Sequence, residues 1–149
     1  MNEALDELYQ QVLLDHSRRP RNYGPLPVPP AIRAEGFNPS CGDEITVWVE
    51  FGGGGQLDKV HFQGQGCAIS QAAASIMTGK VRGKSRAEAE VLIQAFQEVL
   101  TGESQPDFDT LGDLSLFAGV RKFPQRVKCA MLAWRALEQA LAGGGEQHL

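Results

Sequence analysis

The spacing of hydrophobic residues changes from strand-like to helix-like about halfway along the chain. Apolar side chains at helical spacing predict an amphipathic helix over residues 3–16. Residues 44–51 and 59–63 alternate apolar with polar side chains, and the glycines at 52–55 between them predict a hairpin. A short strand over residues 32–37 would complete a three-stranded antiparallel sheet.

The chain after Gly66 is predicted to be helical. Small residues over 68–78 suit close packing on the sheet, and Ser85 with Glu88 forms a capping box that opens another helix. The last helix is expected to begin near Pro124, since proline is tolerated in a first turn. Strands followed by helices predict an α+β fold, with helices packed on one face of the antiparallel sheet.

Composition excludes several classes of function. A net charge of −4 does not favour nucleic acid. No stretch approaches the ~18 apolar residues of a membrane helix, and the first residues are acidic where a signal peptide would be basic. We expect a single domain over residues 1–149 that is cytoplasmic and monomeric, with neither nucleic acid nor membrane as a partner.

Three cysteines carry the candidate chemistry, and their odd number argues against a structural disulfide in a reducing compartment. Three separate buried thiols are the alternative to a shared site. Cys41 and Asp43 flank a glycine in a turn-forming stretch, and both are usable zinc ligands. Cys67 precedes the Ala-rich helix, where unpaired backbone N–H groups favour a thiolate.

Cys129 lies on the last predicted helix. Five apolar residues define the stripe expected to face the core: Val127, Ala130, Met131, Trp134 and Leu141. Cys129 falls roughly 130° from the centre of that stripe at ~100° per residue, so we expect it outside the core.

Together the three thiolates and the carboxylate of Asp43 make a complete tetrahedral set for Zn²⁺. Four anionic ligands around a dication leave two excess negative charges, so cations are expected nearby. Arg126, Lys128 and Lys122 are available for this role.

Several motifs in one order resemble the IscU/NifU-N superfamily of iron–sulfur assembly proteins, and most closely its SufU branch. They include residues 8–16, 20–22, 38–43, 64–70 and 123–130. IscU-type scaffolds carry histidine immediately before the third cysteine, whereas this chain has Lys128. The segment between Cys67 and Cys129 is also longer than in IscU-type scaffolds. Both features are typical of SufU.

The resemblance implies a zinc-dependent sulfurtransferase that accepts persulfide sulfur from a pyridoxal-phosphate cysteine desulfurase for downstream iron–sulfur assembly proteins. The implied zinc ligands are Cys41, Asp43, Cys67 and Cys129. Cys41 is the expected sulfur acceptor, because it is predicted to lie on a loop while the other thiols lie at helices. Arg126 is the second expected catalytic residue, which would offset the negative charge of the centre and meet the partner.

Two other functions stay open. The same cysteines could assemble a [2Fe–2S] cluster on an IscU-type scaffold, although the ammonium of Lys128 is no ligand. Alternatively, zinc could serve only to hold the fold together.

Overall fold

The structure is a computed structural model, and it describes residues 3–40, 42–103, 105, 108–143 and 145–148. The elements in chain order are α1 (Glu3–Arg18), β1 (Ile32–Asn38), β2 (Asp43–Phe51), β3 (Leu57–Gln65), α2 (Ala68–Val81), α3 (Arg86–Thr101), α4 (Phe108–Leu111), a 3-10 helix (Gly112–Lys122), α5 (Pro124–Leu141) and β4 (Gly145–His148).

The predicted three-stranded antiparallel sheet is confirmed. The three antiparallel strands are β1, β2 and β3. A short fourth strand, β4, which the sequence did not predict, pairs in parallel with β1, so the strand order of the whole sheet is β3-β2-β1-β4. Asn38 pairs with Asp43 at the end of the β1–β2 ladder. Glu44 pairs with Gln65 at the same end of the β2–β3 ladder. The first residue of β2 and the last of β3 therefore lie at the same end of the sheet, where these strands begin and end.

The helices pack around α5, which contacts β1, β2, α2 and α3. Trp134 of α5 is fully buried, and its ring centroid lies 4.9 Å from that of Phe96 on α3. The capping box of Ser85 and Glu88 is present, and Pro124 occupies the first turn of α5 as expected. Within the described residues, no helix is long and apolar enough to cross a membrane.

Side-chain hydroxyls on α2 fix the irregular segment that follows α1. The backbone N–H of Arg21 donates to Ser75 Oγ at 2.8 Å, and His16 Nδ1 lies 2.7 Å from the same oxygen. Asn22 Nδ2 donates to Thr78 Oγ1 at 3.0 Å. These contacts hold α1 and the start of the linker against the helix that begins at Cys67.

The free energy of unfolding should decrease as the pH is lowered through the range in which His16 titrates. Burial, and after it the charge of Arg21, lower the pKa of His16 below its usual 6.5. Below about pH 6.5 the unfolded chain therefore binds a proton that the folded chain refuses, and the free energy of unfolding decreases until the folded His16 also titrates. Above that pH the contribution is fully present.

Urea unfolding between about pH 7.5 and pH 5 measures this effect. His16→Gln should flatten the decrease below about pH 6.5, whereas the matched variant His61→Gln should retain it. Equal pH dependence in the wild type and in His16→Gln would contradict the assignment.

Candidate metal centre

The first part of the site is the turn between β1 and β2. Asn38, which is fully buried, accepts the backbone N–H of Ser40 at Oδ1 and that of Gly42 at its carbonyl oxygen, at 3.1 and 2.9 Å. Gly42 has φ of 73°, a conformation that glycine adopts without strain. This turn brings Asp43 into β2, where it is only 4% exposed.

The second part is the junction between β3 and α2. Cys67 is the N-cap residue of α2 and is exposed. Its carbonyl oxygen accepts the hydroxyl of Ser70 at 3.0 Å, and its Sγ lies 3.8 Å from Ser70 Oγ. A Cβ on Gly66 would lie 2.3 Å from Ser70 Oγ and 3.0 Å from the carboxyl carbon of Asp43, so only glycine fits beside the carboxylate.

The third part is Cys129 on α5. Its side chain is buried at 5% exposure, so the expectation that it lies outside the core is wrong. That expectation assumed one apolar stripe, whereas α5 packs against the sheet and other helices on most of its circumference. Leu132 and Ala136, outside the expected stripe, are fully buried as well.

The fold brings three predicted ligands together. One ligand atom from each of Asp43, Cys67 and Cys129 lies within 4.8 Å of the others. Asp43 Oδ2 is buried and has no hydrogen-bond partner among the residues described. A buried carboxylate oxygen without a donor is costly, and a cation bound between it and the thiolates would satisfy it. The donor set therefore fits a metal such as Zn²⁺.

Cys41, the fourth predicted ligand and the predicted sulfur acceptor, lies outside the described residues. The flanking residues, Ser40 and Gly42, belong to the turn that leads directly into Asp43. Its roles therefore stay predictions.

Arg126 lies beside a groove of about 830 Å³ bounded by α1, the 3-10 helix and the start of α5. Its guanidinium stacks over the ring of Phe123, 4.8 Å from the ring centroid. Lys122 also lines the groove. Lys128 is exposed, and it is not among the described residues that line the groove.

Sequence reasoning assigned no site role to Tyr9, which lies within the predicted first helix and the motif at residues 8–16. Burial raises the pKa of Tyr9 to about 12; the charge of Arg126 opposes this increase and that of Cys67 adds to it. Tyr9 is therefore within electrostatic range of the candidate ligand Cys67. Helical spacing alone gave no signal for this, because it does not show what a side chain meets across the fold.

Comparisons with known proteins show the family of this chain. The family model for the NifU-like N terminal domain matches residues 8–130. The chain is 43% identical to the iron-sulfur cluster assembly scaffold protein IscU of Streptococcus pyogenes serotype M1, an alignment that covers 97% of this chain and 90% of the relative. It is 40% identical to the zinc-dependent sulfurtransferase SufU of Bacillus subtilis strain 168, with 95% and 94% covered.

A crystal structure from Fervidobacterium islandicum AW-1, described as a proposed iron-sulfur cluster assembly scaffold protein for the SUF system, is similar in fold. Its TM-score is 0.77 at 34% identity, with 91% of this chain and 97% of that chain covered. The resemblance drawn from the motifs is thereby confirmed. The chain belongs to the NifU-like N-terminal domain family, the IscU/SufU-type proteins of iron–sulfur cluster assembly.

Proposed function

We propose that this protein is a zinc-dependent sulfur acceptor that takes persulfide sulfur from a cysteine desulfurase. The observation that carries the proposal is the cluster of Asp43, Cys67 and Cys129, with a buried carboxylate oxygen that lacks a donor. The name of the Bacillus relative, a zinc-dependent sulfurtransferase, points the same way.

Cys41, Asp43, Cys67 and Cys129 would hold the zinc. When bound, the ion would keep the thiols deprotonated, and its tolerance of ligand exchange suits a reactive centre. The oxygen of Asp43 is a harder ligand than a fourth thiolate and should make the centre more labile. Asn38 and Gly42 fix the turn ahead of Asp43, while Ser70 holds the backbone at Cys67.

Sulfur transfer needs only one exchange of bonds. The thiolate of Cys41 attacks the outer sulfur of the donor persulfide, and a new S–S bond forms on this chain. The S–S bond of the donor breaks, and its electron pair leaves with the donor thiolate. The oxidised sulfur atom moves from one cysteine to another, so no external oxidant or reductant is required.

The proposed partner is a pyridoxal-phosphate cysteine desulfurase, and the groove beside Tyr9 is the proposed contact surface. Three cations line it: Arg121, Lys122 and Arg126. Phe123 is 49% exposed and offers an apolar contact beside these cations. Cations beside the centre would also offset its excess negative charge. The sulfur would then pass to downstream iron–sulfur assembly proteins.

A second candidate is a scaffold that assembles a [2Fe–2S] cluster on the same cysteines. The 43% identity to a Streptococcus protein named as a scaffold favours it. Lys128, adjacent to Cys129, argues against it because an ammonium group cannot ligate iron.

Loss of Cys41 should affect chemistry more than folding, because the residues on either side of it, Ser40 and Gly42, are exposed. We expect Cys41→Ala to remain folded, to bind zinc more weakly, and to accept no sulfur from a desulfurase supplied with cysteine. Mass spectrometry of the intact chain and of its peptides measures the added sulfur, about 32 Da, and its position.

Ser40→Ala, a change at the preceding position, is the matched control and should accept sulfur normally. Sulfur carried by Cys67 or Cys129 while Cys41 stays unmodified would overturn the assignment of Cys41. No adduct on any thiol, with no stimulation of the desulfurase, would leave zinc with a structural role alone.

Arg126 should matter for the encounter with the desulfurase. Arg126→Ala should stay folded, because the side chain is exposed. It should raise the desulfurase concentration needed for half-maximal sulfur transfer by roughly tenfold, as expected when an arginine anchor at an interface is truncated.

Lys128→Ala is the matched control, since it removes an exposed cation from the same helix but not from the groove lining as described. Titrating desulfurase against each variant makes the comparison. An equal response of the two variants would mean that Arg126 contributes only its charge.

A further inference from the structure

Tyr9 lines the groove and lies within electrostatic range of the candidate ligand Cys67. Its ring packs edge-on against Phe117, with centroids 5.3 Å apart and planes at 85°, which fixes the direction of the phenol. The side chain lines the groove together with Arg126. The charges of Arg126 and Cys67 both act on its hydroxyl.

The hydroxyl of Tyr9 lacks an acceptor. Its oxygen is shielded from solvent and has no hydrogen-bond partner among the described residues. The other tyrosine differs, because the Tyr23 hydroxyl donates to the carbonyl oxygen of Gly64 at 3.3 Å. A buried donor without an acceptor costs free energy in the resting protein. Such a donor suits an acceptor that is present only during the reaction.

Sulfur transfer supplies that acceptor. A persulfide is anionic at its outer sulfur, and the attacking thiolate is anionic as well, so the two repel each other as they approach. A hydrogen bond to the sulfur in transit reduces this repulsion and makes that sulfur a better electrophile. Because burial keeps the phenol protonated, Tyr9 can donate throughout the reaction.

We propose that Tyr9 is a catalytic residue whose O–H donates a hydrogen bond to the sulfur atom in transit. The inference rests on the proposed function and adds a named donor to it. The phenol keeps its proton: the S–S bond to the acceptor thiolate forms, the S–S bond of the donor breaks with its electron pair on the departing sulfur, and the hydrogen bond then remains with the new persulfide.

Inorganic polysulfide tests the chemistry without a partner protein. The acceptor thiolate attacks one sulfur of the polysulfide chain, and a shorter polysulfide leaves with the electron pair. With the zinc-loaded full chain, Tyr9→Phe should slow the appearance of the sulfur adduct roughly tenfold or more at saturating polysulfide, as for a lost hydrogen bond to a charged group. The half-saturating concentration should stay unchanged.

Tyr23→Phe is the matched control, because Tyr9 and Tyr23 are the two tyrosines of the sequence. It should load at the wild-type rate, because the Tyr23 hydroxyl already donates to the carbonyl oxygen of Gly64. Tyr9→Phe retains the ring that meets Phe117, so its zinc content and thermal unfolding should match the wild type.

Fluorotyrosine separates a chemical role from a structural one. Incorporated into the Tyr23→Phe variant, it labels position 9 alone and makes that phenol a stronger donor. The loading rate should then exceed that of unlabelled Tyr23→Phe, the opposite of the effect of Tyr9→Phe.

Equal loading rates of the wild type and Tyr9→Phe, or slower loading with fluorotyrosine, would overturn the role of Tyr9 while leaving the proposed function intact. Absence of any adduct on the wild type, both from polysulfide and from a desulfurase, would instead overturn the proposed function itself.

Discussion

The site depends on a carboxylate held at the edge of the core without a donor for one of its oxygens. Asp43 is 4% exposed, and its Oδ2 has no hydrogen-bond partner in the part of the chain that is described. Cys67 and Cys129 place two potential anions beside it. Asp43 and Cys129 are both buried, and buried like charges without a counter-ion are unfavourable. A bound cation would account for the arrangement.

Three separate elements must be in place for that cation to bind. Asp43 begins β2, Cys67 caps α2, and Cys129 lies in the second turn of α5. The packing of α5 against β2 and α2 therefore sets the distance between ligands that are far apart in the sequence. Metal binding should couple to the stability of the whole fold, since each ligand belongs to a different part of the core.

Much of the fold followed from the sequence, because alternation, capping and turn signals are local. The three antiparallel strands, the capping box at Ser85 and the start of α5 at Pro124 are of this kind. The burial of Cys129 could not be read locally, because it depends on how many neighbours surround α5. The ligand cluster was proposed from residue chemistry and resemblance, yet its convergence is a property of tertiary packing. The unpartnered hydroxyl of Tyr9 could be seen only in three dimensions.

X-ray absorption at the zinc edge, on protein purified without oxygen, tests the central claim most directly. The account predicts one zinc per chain with three sulfur ligands at about 2.3 Å and one oxygen at about 2.0–2.2 Å, and a loss of sulfur ligands or of zinc in Cys67→Ala and Cys129→Ala. Stoichiometric iron with inorganic sulfide in place of zinc would contradict the account. So would zinc retained at full occupancy and affinity in both variants.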